Sequence, residues 1–120
     1  MHRDHRLFLD DMLEAISKVR VYTAELDYAA FAKDAKTQDA VVRNLEIIGE
    51  AAGRLPDSVM TDSPEIEWRK IVGLRNILAH EYFGVSIPVV WDIIQNKLDV
   101  LETSCRALLN KAIPPEMESD

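Results

Sequence analysis

The 120-residue sequence has one cysteine, three histidines, four glycines and five prolines. A lone thiol, Cys105, cannot close an intrachain disulfide, and the chain reads as a protein of a reducing cytoplasm. So few histidines and thiols leave little for a metal site. Neither a His-Glu-x-x-His nor a paired Glu-x-x-His pattern occurs, and His2 and His5 read as a solvated, frayed terminus. No G-x-G-x-x-G or Walker loop is present, so no dinucleotide or triphosphate cradle is expected, and no cofactor. Apolar runs are only a few residues long, and Met-His-Arg-Asp-His-Arg leads into no signal-peptide stretch, so no membrane span or export signal is expected.

Positive charge is also short. Lys and Arg total 14 against 21 Asp and Glu, a net charge of −7. Residues 1–60 hold 8 basic and 11 acidic side chains and residues 61–120 hold 6 and 10, so the deficit is spread evenly. Such a balance argues against a module that coats duplex DNA or anionic lipid. It leaves room for an enzyme that handles nucleic acid in a small, locally cationic cleft.

What is there is an ordinary globular composition, 48 % apolar and 29 % charged, long enough for one core and one domain. From about Asp4 to Leu26, the residues Leu9, Leu13 and Ile16, flanked by Phe8, Met12, Val19 and Tyr22, give a broad helical stripe. Residues 27 to 36 break the pattern, with Phe31 expected to plug the core from a short helical turn. Thr37 is the expected N-cap of a helix in which Val41, Leu45, Ile48 and Ala52 recur, ending near Gly53 to Pro56. Gly49 and Gly53 lie four apart on one face of it and read as a close helix contact rather than a phosphate cradle. Ser63-Pro64 is expected to open a third helical region running to about Phe83 and stopping at Gly84. Ser86 and Pro88 then start a fourth, whose Val90, Ile94, Leu98, Leu101, Cys105 and Leu108 keep period for five turns. Cys105 is therefore expected in the core. No segment alternates like a strand, so the expected fold is all-α, an antiparallel bundle of four to five helices over residues 1–112, with a loose tail at 113–120.

The chemistry-bearing segment is Gly73-Leu-Arg-Asn-Ile-Leu-Ala-His-Glu-Tyr-Phe-Gly84. With Arg75 at zero, Ile71, Leu74 and Leu78 fall at about 320°, 260° and 300° around a helix and define its buried side. Asn76 and His80 fall at about 100° and 140°, an i, i+4 pair, with Arg69 at about 120°. Tyr82 falls at about 340°, close to the line of Arg75 and about 10 Å further along the axis. A histidine moves protons near neutral pH, and an arginine holds a phosphate and stabilises charge building on it. Together they suffice in principle for metal-free RNA cleavage by the ribose 2′-OH. Arg75 and His80 lie about 140° apart, so one subunit's pair converges poorly on one phosphate. A twofold pair of subunits would bring both groups, and the second copy of each arginine, to one cleft.

Arg75-Asn-Ile-Leu-Ala-His80-Glu-Tyr82 resembles the R-x4-H-x-Y motif of the HEPN superfamily, specifically of HepT-like ribonuclease toxins. The stretch Thr37-Gln-Asp-Ala-Val-Val-Arg-Asn-Leu-Glu-Ile-Ile-Gly-Glu-Ala-Ala52 is similar to that family's second-helix signature. Trp68-Arg-Lys-Ile-Val-Gly-Leu-Arg75, Tyr82-Phe-Gly-Val85 and Val90-Trp-Asp-Ile-Ile-Gln95 also match, so the resemblance spans roughly residues 5 to 110. It implies the HEPN helical bundle, a homodimer with the motif helices lining a shared cleft, and metal-independent endoribonuclease activity. It further implies the toxin of a type VII toxin–antitoxin system, whose partner is an MntA-type minimal nucleotidyltransferase, in a dimer or a higher oligomer with it. Carried over by position, Arg75 and His80 are catalytic, Asn76 holds the polar position after the arginine, and Tyr82 is the residue AMPylated by the antitoxin. Arg69 is a further candidate for RNA phosphate. Glu81 departs from the small residue common in relatives and adds a negative charge beside Tyr82. An alternative reading is a catalytically idle HEPN scaffold that binds a nucleotidyltransferase; the intact Arg75–His80 pair favours the enzyme. A nucleotidyltransferase activity of the chain itself is excluded, because no Gly-Ser followed by an Asp-x-Asp pair occurs.

Overall fold

A computed structural model of the chain describes residues 4–80 and 86–112, with backbone alone at 76–80 and at 112. Helix α1 (His5–Thr23) leads into the short α2 (Tyr28–Ala32), then α3 (Ala35–Ala52), the short α4 (Asp57–Thr61), α5 (Trp68–His80), α6 (Ile87–Asn96) and α7 (Leu98–Ala112). Among the described residues there is no strand. The fold is all-α, as the periodicity predicts, and five of its helices have ten or more residues.

Helix α3 packs against both α1 and α5, and α7 packs against α1. The start of α1 lies beside the end of α3, around Phe8, Asp11, Ala51 and Arg54. Arg20, near the end of α1, bonds to Asp99 and Glu102 at the start of α7. Both neighbours therefore run antiparallel to α1. Leu9, Met12, Ile16 and Val19 from α1, Val41, Leu45 and Ile48 from α3, and Leu98, Leu101 and Cys105 from α7 are excluded from solvent. Each large aliphatic side chain so buried contributes about 1.5–3 kcal/mol. Phe31 plugs this core from α2 as expected, its ring 5.2 Å from that of Trp91 on α6.

Three boundaries differ from the expected ones. The N-cap of α3 is Asp34, not Thr37: its carboxylate accepts from the Thr37 amide at 3.0 Å and the Thr37 hydroxyl at 2.7 Å. Both residue types cap well, and the earlier one starts the helix because Thr37 stands where the cap's bond is received. The third region begins at Trp68 rather than Ser63-Pro64. Ser63 is buried, residues 64–66 form turns, and the Trp68 indole donates to the carbonyls of Met60 at 3.0 Å and Ser63 at 3.1 Å. That indole clamp, with the Lys70 and Ile71 amides bonded to the Glu67 carbonyl, fixes where α5 starts. The expected end near Phe83 lies outside the described residues, as does the tail from 113. Finally, the fourth helix is two helices, α6 and α7, divided at Lys97 with φ −113° and ψ −26°. Its start is the expected one, with Ser86 accepting from the Val89 amide.

Candidate active site

Helix α5 carries the Arg75 motif, and its position is set by glycines on α3. A Cβ on Gly49 would stand 2.7 Å from the Arg75 amide nitrogen, 3.0 Å from the Ile71 carbonyl oxygen and 3.2 Å from the Leu74 Cβ. Only a residue without a side chain allows the two backbones to meet there. One turn later, a Cβ on Gly53 would stand 3.0 Å from Nη1 of Arg75 and 3.4 Å from Val72 Cγ1. The Gly49–Gly53 pair is therefore the close helix contact its spacing suggests, and the residue it receives is Arg75.

The other side of α5 is open. A groove of about 770 Å³ separates it from α6 and the start of α7, lined by Arg69, Gly73, Val89, Ile93, Lys97 and Val100 among others. Among the described residues, a Cβ on Gly73 would meet nothing within 4 Å. Positions 69, 73, 76 and 80 follow one row of the helix at i, i+4, i+7 and i+11, so Arg69 shares its row with the backbone positions of Asn76 and His80. The side chains of Asn76 and His80 lie outside the described residues, as do Glu81 and Tyr82 altogether. Arg75 stands on the α3 side and Arg69 on the groove side; within one chain they do not converge.

The charge pattern separates these two arginines from the other described ones. Arg6, Arg20, Arg43, Arg54 and Arg106 each have a carboxylate within 4 Å. Among the described residues, Arg69 and Arg75 have none, although both are exposed on a chain of net charge −7. The nearby carboxylates are engaged elsewhere. Glu67 is held below its ordinary value by its bond to Lys70, and Glu65 by the hydroxyl of the buried Ser104, 2.7 Å away. Cys105 is buried and its thiol is pushed up to about 12 by desolvation, so it is inert packing in the core. Among the described residues no group of three or more His, Cys, Asp or Glu is gathered as a metal site, and no helix is long and apolar enough to cross a membrane.

Lys70 and Lys97 at the groove were not singled out by sequence reasoning; residue 97 looked like mid-helix. The close contact at Gly49 and Gly53 is legible in the sequence, but its partner is not: nothing in the sequence says which helix would lie on it.

An all-α bundle whose motif helix holds, among the described residues, two arginines without a carboxylate partner, with His80 five residues past Arg75, fits the small HEPN-type helical proteins that the sequence resembles. Residues 12–108 match the family described as Ribonuclease HepT-like, and the chain belongs to that family. A Thermococcus cleftensis protein named "Probable ribonuclease HepT" is 40 % identical over 102 residues, 85 % of this chain and 93 % of the relative. A Methanocaldococcus jannaschii protein named "Putative RNase" is 41 % identical over 96 residues, 80 % of this chain and 79 % of the relative. One of Caldanaerobacter subterraneus, named likewise, is 33 % identical over 106 residues, 88 % of this chain and 95 % of the relative. No solved structure matches.

Proposed function

We propose that the protein is an RNA-cleaving toxin, a cytoplasmic endoribonuclease that needs no metal and acts as a homodimer. The observation that carries this reading is that, among the described residues, Arg75 and Arg69 on the motif helix of an acidic protein have no carboxylate partner, in a chain of the Ribonuclease HepT-like family. In a twofold pair of motif helices, Arg75 of one copy and His80 of the other face one cleft. His80 takes the proton of a ribose 2′-OH as its oxygen attacks the adjacent phosphorus. The P–O5′ bond breaks, the departing oxygen takes a proton, and the products are a 2′,3′-cyclic phosphate and a 5′-OH. Arg75 holds the non-bridging oxygens as negative charge builds on them. Asn76 orients the imidazole or binds a phosphate oxygen, and Arg69 extends the cationic row toward the flanking RNA.

Regulation follows from Tyr82. AMP attached there by an MntA-type nucleotidyltransferase antitoxin places phosphate charge and bulk beside the arginines, where it competes with RNA. His80→Ala and Arg75→Ala are each expected to lower RNA cleavage at least about 100-fold with the fold retained, and wild-type cleavage is expected to survive EDTA. Near-wild-type cleavage by either variant would remove the motif as the active site. Co-expression with the nucleotidyltransferase should add AMP increments by intact-mass spectrometry that Tyr82→Phe abolishes. Equal labelling of Tyr82→Phe would place the modification elsewhere.

A further inference from the structure

An arginine that must meet a phosphate has to be held in place without being neutralised. A carboxylate would hold it and cancel its charge. From the α3–α5 contact we infer that Gly49 and Gly53 are positioning residues for Arg75, together forming a side-chain-free seat that fixes it while leaving its charge unpaired. The inference rests on the reading of Arg75 as a catalytic residue.

Gly49 fixes the root of the arginine. Its missing Cβ would lie 2.7 Å from the Arg75 amide, so the α3 backbone touches the α5 backbone at this residue and sets where its Cα stands. Gly53 fixes the tip. Its missing Cβ would lie 3.0 Å from Nη1 and 3.5 Å from Cζ, so the guanidinium rests across the C-cap of α3. A helix C-terminus carries partial negative charge and attracts a cation there without a formal counter-ion. The neighbouring Arg54 does not fill that place, because its guanidinium turns to Glu50 at 3.5 Å. The root is set by rigid backbone and the tip by the far end of a flexible side chain, so the two glycines respond differently to substitution.

The experiment is steady-state cleavage of a short RNA by the full chain, wild type against Gly53→Ala, Gly53→Val and Arg75→Ala, with thermal melting of each. Added carbon at position 53 should push the guanidinium aside and leave the helices in place. Gly53→Val is expected to melt within about 3 °C of wild type and to lose about tenfold in kcat, since small misplacements of positioning groups have effects of this order. KM should change less than about twofold, and Gly53→Ala should fall between. Binding of an uncleavable 2′-O-methyl RNA should hold, because the charge is displaced and not removed. Wild-type kcat in Gly53→Val with an inactive Arg75→Ala would overturn the seat and leave the catalytic reading standing. Cleavage by Arg75→Ala would overturn the catalytic reading itself. A Gly53→Val chain that unfolds, or that loses RNA binding in step with kcat, would make Gly53 a packing residue and overturn the inference as well.

Discussion

The two sides of α5 are built on opposite principles. Toward α3 the helix is in backbone contact through Gly49, with no room for one carbon. Toward α6 and α7 it faces a groove of about 770 Å³, and Gly73, on the same helix, would tolerate a Cβ with nothing in reach among the described residues. The same residue type thus means a fixed reference surface on one side and free space on the other. A helix anchored along one edge presents the opposite edge at a defined place. Arg69 and the positions of Asn76 and His80 lie along that open edge, and Arg75 along the anchored one.

Glycine substitution should break the comparison most directly. Gly49→Ala places a carbon against rigid backbone on both sides of the contact, so α5 must lift from α3. Overpacking of this kind costs about 1–3 kcal/mol. For a domain of this size the expected fall in Tm is about 4–12 °C, read by calorimetry. A Tm at or above wild type would mean that the helices do not meet at Gly49. Gly73→Ala should do the reverse. Alanine is better than glycine inside a helix by about 0.5–1 kcal/mol, and nothing obstructs it, so Tm should rise by about 2–4 °C. A fall after Gly73→Ala would show the groove closed in solution.

The same contrast marks how far the sequence alone could be read. Helix periodicity and capping chemistry are local, and they located α1, the Phe31 plug, α3 and the Ser86 start of α6 to within a few residues. Where two local signals competed, as Asp34 and Thr37 did at the start of α3, periodicity had nothing to choose between them. The break at Lys97 was invisible for a physical reason. A single non-helical residue keeps Val90, Ile94, Leu98 and Leu101 on one apolar side, and neither glycine nor proline marks the turn. Arg75 was legible as a candidate from its motif, but its seat was not. Gly49-x-x-x-Gly53 announces a close contact without naming the partner helix, which is a tertiary fact. That Arg69 and Arg75 have no carboxylate partner among the described residues is likewise a fact of three-dimensional neighbourhood, since Glu65 and Glu67 stand within four residues of Arg69 in sequence.

The smallest expected effect lies in the turn before α5, which is tied to α7 on the groove side. Glu65, in the turn before α5, accepts from the Ser104 hydroxyl on α7 at 2.7 Å, and this bond holds its carboxyl below the ordinary range. Asp34 at the α3 cap is lowered in the same sense by Thr37, and Asp4 at the α1 cap is lowered to about 2 by Arg6. A carboxyl whose folded-state value is depressed binds its proton more readily when unfolded. Its contribution is therefore complete above the unfolded value and is lost as pH falls through the folded one. Stability should be flat with respect to these three groups above about pH 5 and decline as pH drops from about 4 toward 2. All three are solvent-accessible, so each contribution is small and screened by salt. Glu65→Gln isolates one of them against the general effect of acid on the whole chain. The Tm difference between wild type and Glu65→Gln should be greatest near neutral pH and shrink steadily in acid, until the two melting curves coincide. A difference that stays constant from pH 7 to pH 2 would mean that Glu65 acts through shape alone, and that the launch of α5 depends on the Trp68 clamp without help from its charge.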